Sequence, residues 1–121
     1  MIANDVLVVS ASAETGVRLV DLLRRDKWTV RPAQSCREAI DHLSVHRTPV
    51  VICESSLPDG NWKDLLDKAP RLIVTARTAD EALWSEVLNL GGYDVLAQPF
   101  DATEVARVVV AARRSSNRPA G

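Results

Sequence analysis

The chain reads as an α/β domain: one parallel sheet whose five strands are each followed by a helix, in a single doubly wound (βα)5 unit. Three observations predict it. Short, β-branched runs that are apolar on consecutive residues recur along the chain, as strands covered on both faces require. Segments with a helical apolar period lie between them. The length of 121 residues, 46% hydrophobic and 26% charged, suits one globular domain.

Val6-Leu7-Val8-Val9 is the first strand, and Ser12 can cap a helix over about 13–25 with Val17, Val20, Leu22 and Leu23 on its inward side. Trp28-Thr29-Val30 is the second strand, closed by Pro32. Ser35 then caps a helix with Ala39, Ile40 and Leu43 inward. Val50-Val51-Ile52-Cys53 is the third strand, and a third helix is expected between Gly60 and Pro70, around Leu65 and Leu66. Leu72-Ile73-Val74 is the fourth strand. Ala82, Leu83, Val87 and Leu90 define the fourth helix, which Gly91-Gly92 stops. Tyr93-Asp94-Val95-Leu96 is the fifth strand, closed by Pro99. Asp101 to about Arg114 is the last helix, with Val105, Val108, Val109 and Ala112 inward. Residues 1–114 form the expected domain, and the polar stretch 115–121 a flexible tail.

Fifteen Lys+Arg against sixteen Asp+Glu give a net charge of -1. That balance argues against a strongly basic nucleic-acid binder and against a polybasic membrane anchor. No apolar run approaches the ~20 residues of a membrane span. Asp5 interrupts what a signal peptide would need. Cys53 lies in an apolar strand and reads as a reduced core residue, so a cytoplasmic location is expected. The histidines, His42 and His46, are far from Ser10 and Cys53, so no nucleophile–base set forms and no enzyme is expected.

In open parallel sheets function collects at the carboxyl ends of the strands. Here those ends are Ser10-Ala11-Ser12, Glu54-Ser55-Ser56, Thr75-Ala76 and Gln98-Pro99. Three segments stand there in order: Glu54-Ser55-Ser56-Leu57-Pro58-Asp59-Gly60, Ile73-Val74-Thr75-Ala76, and Gly91 through Phe100. With them the chain, over about residues 5–114, resembles the receiver domain of bacterial two-component response regulators. The segments match its phosphoacceptor loop, its fourth strand with the switch hydroxyl, and its fifth strand with the following turn.

The resemblance implies a flavodoxin-like sheet of order 2-1-3-4-5 and a part in phosphorelay signalling. The implied partner is a histidine kinase or another signalling protein, with homodimerisation through the fourth helix, fifth strand and fifth helix. No output domain is expected after the last helix. The resemblance also implies an acidic pair ending strand one, an acceptor Asp ending strand three and a Lys before the fifth-strand Pro. These positions hold Ser10 and Ala11, Glu54, and Gln98. Thr75 and Pro99 match, and the place of a strand-five aromatic falls to Val95. Thr75, Val95 and Pro99 make up the implied switch region.

One carboxylate cannot replace three around Mg²⁺. Without metal and Lys, nothing offsets the charge on a transferring phosphoryl group. The expectation is a degenerate pseudo-receiver, not phosphorylated at the usual site. In it Glu54 is either a fixed negative charge within reach of Thr75 or inert. A working phosphoreceiver with an unconventional acceptor is the competing reading.

Three further features have two readings each. The loop from Ser10 to Gly16 can cradle a phosphate, and Trp62 can stack on a flavin, as in a flavodoxin-like cofactor binder. Glu14 and a loop without internal Gly favour a plain Ser cap, and no cofactor is expected. His42 and His46, four residues apart with Cys36 upstream, share a helix face. A closed metal site wants four ligands, so surface histidines are favoured and no metal is expected. Trp84, turned outward on the fourth helix or folded onto it, marks an interaction surface with Val95 and Arg107. Arg107, Arg113, Arg114 and Arg118 suit the dipole of the last helix.

Overall fold

In the computed structural model, residues 4–115 are described. The elements are β1 (Asp5–Val9), α1 (Ala13–Arg25), β2 (Thr29–Ala33), α2 (Cys36–Val45), β3 (Val50–Glu54), β4 (Ser56–Leu57) and β5 (Gly60–Asn61). A 3₁₀ turn (Trp62–Leu65), β6 (Leu72–Ala76), α3 (Glu81–Asn89), β7 (Asp94–Ala97) and α4 (Ala102–Ser115) follow. The main sheet is parallel and runs β2-β1-β3-β6-β7, which reads 2-1-3-4-5 when its own strands alone are counted. β4 and β5 form a separate antiparallel pair.

Strand alternation divides the core into two layers. Val6, Val8, Val30, Val50, Ile52, Ile73 and Leu96 point to the side where Leu19 and Leu23 of α1 and Val105, Val108, Val109 and Ala112 of α4 close over them. Leu7, Val9, Val51, Cys53, Leu72, Val74 and Val95 point to the other side, against α2, the 3₁₀ turn and α3.

The strands fall where the apolar runs place them, with three changes. β2 continues through Pro32, because an edge strand can leave Pro's missing N–H on its outer side. Trp28 is buried ahead of the strand, and Tyr93 lies just before β7. β6 runs on through Thr75 and Ala76.

The helices need more correction. Among the described residues four α-helices form, not five. Between Gly60 and Pro70 the chain makes the 3₁₀ turn, with the Asn61 side chain on the Lys63 N–H and the Asp64 side chain returning to the Asn61 N–H. Trp62 and Leu65, three apart, both reach the core, which suits three residues per turn. On α1, Leu23 is buried and Val20 and Leu22 pack against the core as expected, but Val17 is 62% exposed and Leu19, one turn before Leu23, takes the inward place instead. Ala82 and Leu90 are exposed as well, which leaves Val87 and half-buried Leu83 to dock α3. The expected flexible tail falls mostly on residues 116–121, outside the described residues; Ser115 is the last residue of α4.

Caps fix where the helices start. Ser12 accepts from the Thr15 N–H, Ser35 from Glu38, Asp80 from Leu83 and Asp101 from Glu104. At the end of α3, the Gly92 N–H reaches the Val87 carbonyl at 2.7 Å and the Gly91 N–H reaches Leu88 at 3.3 Å. Gly91 takes φ 103 there, the left-handed stop expected of this glycine pair.

Candidate functional site

The carboxyl ends of β1, β3, β6 and β7 surround a cavity of about 310 Å³. Ser12, Thr15, Glu54, Ser55, Thr75, Arg77 and Gln98 are among the residues that line it. Parallel register sets Glu54 beside Thr75 on the neighbouring strand. The Ser55 N–H then binds the Thr75 carbonyl at 2.9 Å, tying the following loop to β6.

Glu54 turns toward β1. Its Oε1 accepts from the Ser10 hydroxyl, and the Ser12 N–H lies 3.4 Å away. Ser10 is itself buried; its own N–H is fixed on the Ala33 carbonyl at 2.9 Å, and its Oγ lies 3.0 Å from the Ser12 carbonyl. Among the described residues no hydrogen bond joins Glu54 to Thr75, although both face the cavity and Thr75 is only 1% exposed. Ala11 is exposed and brings no polar side chain.

Gln98 is held by its N–H on the Ala76 carbonyl at 3.0 Å, and its side-chain oxygen accepts from the Thr15 hydroxyl at 3.5 Å. The Gln98–Pro99 bond is cis. Arg77 also lines the cavity, and with Arg18 it borders an adjoining hollow of about 400 Å³ reaching Pro99 and Phe100.

The donor set does not fit Mg²⁺. A magnesium ion wants near-octahedral oxygens including one or two carboxylates. This cavity offers one carboxylate, with an oxygen already committed to Ser10. Among the described residues no group of three or more His, Cys, Asp or Glu is placed to hold a metal.

The loop after Glu54 is anchored at its far end. Both Asp59 carboxylate oxygens accept from the first amides of α2, Cys36 N–H at 2.9 Å and Arg37 N–H at 3.0 Å. Those bonds hold the Asp59 carboxyl below its ordinary value. With Ser35 on the Glu38 N–H, the open amides of this helix start are answered.

Two expected roles change place and one stands. Val95 is 3% exposed and packs in the core, so β7 presents Asp94 and Ala97 at its surface instead. The Trp62 ring is buried against the sheet and cannot stack on a flavin. Trp84 keeps its outward place, 38% exposed, with Leu88 one turn on also exposed; Arg107 is exposed on α4.

Sequence reasoning missed the Ser10–Glu54 contact, Arg77 and the Asp59 anchor. Only the last left a signal, an Asp-Gly turn preceding a helix by fold but following it in sequence.

Neither a protein-family model nor a curated protein sequence matches the chain. Solved structures do. The signal receiver domain of an HD domain-containing protein from Pseudomonas fluorescens superposes with TM-score 0.86 at 23% identity, over 96% of this chain and 90% of that one. This chain has the fold of a receiver domain. A two-component response regulator from Clostridium difficile gives TM-score 0.84 at 20% identity, over 94% and 98% of the two chains. The beryllofluoride-activated NtrC4 receiver domain dimer gives 0.86 at 20%, over 94% and 99%. A receiver fold at such identities carries architecture and not chemistry.

Proposed function

We propose that this chain is a cytoplasmic receiver-like signalling module, in or derived from a two-component phosphorelay. It acts through protein–protein contact and without phosphorylation at the usual position. It is not an enzyme. The observation that carries the reading is the Ser10–Glu54 hydrogen bond: an uncharged hydroxyl stands where an acid would help hold a metal, and it occupies the single carboxylate. The similarity to receiver structures supports the signalling half of the proposal.

Glu54 supplies a permanent negative charge at the signalling position, beside Thr75 in register. Its tether to Ser10 keeps that charge on the β1 side of the cavity. The proposed contact surface is the face of α3, β7 and α4, where Trp84, Leu88 and Arg107 are exposed. A histidine kinase, another signalling protein or a second copy of the chain meets it there. The NtrC4 receiver is itself described as a dimer.

Partner capture with the native chain, Trp84→Ala and Glu54→Ala tests this. Loss of capture with Trp84→Ala supports the surface, and loss with Glu54→Ala supports a signalling charge. Capture unaffected by Glu54→Ala removes the charge from the mechanism, and capture unaffected by both removes the surface as well.

A further inference from the structure

His42 and His46 lie at the other end of the molecule from Glu54, where α2 closes and β3 begins. His42 is in the last turn of α2, and His46 is its C-cap, with φ -117 and ψ 131 leading out of the helix. Their ring centres are 4.7 Å apart and the planes are inclined by 31°. Two imidazoles sharing one tetrahedral ion at ~2.0–2.1 Å per Zn–N bond set their ring centres roughly 5 Å apart. The observed separation is close to that value, and it is also that of two rings in stacking contact.

The second observation is what holds His42. Its Nε2 lies 3.2 Å from the hydroxyl of Thr48, a residue buried at the α2–β3 connection. Metal-binding histidines commonly give one ring N–H to such a partner, which fixes the tautomer and the ring orientation. With Nε2–H on Thr48, the Nδ1 lone pair of His42 is left to bind. Arg31 and Asp5, of opposite charge, also act on His42, the arginine more strongly.

We propose that His42 and His46 form an open two-imidazole site for a divalent transition-metal ion of the zinc class. Imidazole nitrogens suit Zn²⁺, Ni²⁺ and Cu²⁺, and water completes the coordination because, among the described residues, no third His, Cys, Asp or Glu joins the pair. The buried thiols of Cys36 and Cys53 stay out of the site. Distance from Glu54 makes the site independent of the signalling proposal.

Titration of the full-length protein with Zn²⁺ alone, followed by calorimetry and by imidazole ¹⁵N resonances, tests it. One ion per chain is expected, with both imidazoles shifting together. His46→Ala, at an exposed position, is expected to weaken binding about tenfold or more while the circular dichroism spectrum stays native. Thr48→Val is expected to weaken it with both imidazoles present. Unchanged Zn²⁺ affinity in His46→Ala, or saturation by Zn²⁺ without imidazole shifts in the native protein, overturns the site.

Discussion

Glu54 and Ser10 are 44 positions apart, yet their contact decides what the cavity can do. A buried hydroxyl donating to a carboxylate is a charge-assisted bond, and its loss strands Glu54 on one amide. Ser10→Ala is therefore expected to cost about 1–2 kcal/mol, read as a lower urea midpoint with unchanged slope. That Ser10, Glu54, Thr75 and Gln98 stand at the carboxyl ends of their strands was legible, because the apolar runs mark where those strands stop. The bond itself was not, since only the parallel register brings the ends of β1 and β3 together. The two thiols make a second residue-scale prediction. Burial pushes both Cys36 and Cys53 up, so a thiol reagent should label neither in the native state and both after unfolding.

Among the elements, strands were easier to read than helices. Both faces of each central strand are covered, so the apolar runs mark them directly. The third helix failed because the ten-odd residues before Pro70 must also carry Trp62 and Leu65 inward at a three-residue spacing, which a short 3₁₀ turn achieves. On the inward face of α1 one residue was misplaced, Val17, and one was missed, Leu19. Val17 pointed outward once Leu19 and Leu23 had met the sheet. The stop of α3 was legible, and it is sharply sterically defined. A Cβ on Gly92 would sit 2.5 Å from Val87 Cγ1 and 3.0 Å from its carbonyl oxygen. Gly92→Ala should cost about 1–3 kcal/mol in thermal or urea unfolding. The Asp59 anchor predicts a pH effect. Its stabilisation is complete above ~3.9, the value in an unfolded chain, and is lost as pH falls through its depressed folded value. Asp59→Asn should lower the melting temperature at neutral pH and flatten this part of the acid limb.

For the whole molecule, architecture and chemistry separate. The two-layered core superposes on receiver domains at TM-scores up to 0.86, while the cavity at the carboxyl ends of its strands offers one carboxylate, Glu54. The proposed function makes Glu54 a fixed charge in that cavity, where no phosphoryl group is transferred. Trp84→Ala should then leave stability nearly unchanged, because the side chain is partly exposed and outside both core layers, and it should still remove partner binding. The direct trial is intact-mass measurement after incubation with acetyl phosphate and Mg²⁺. A variant combining Ser10→Asp, Ala11→Asp, Glu54→Asp and Gln98→Lys serves as the comparison. The account predicts that the native chain keeps its mass while the combined variant gains a phosphoryl group. A phosphoryl adduct on Glu54 of the native chain would contradict it.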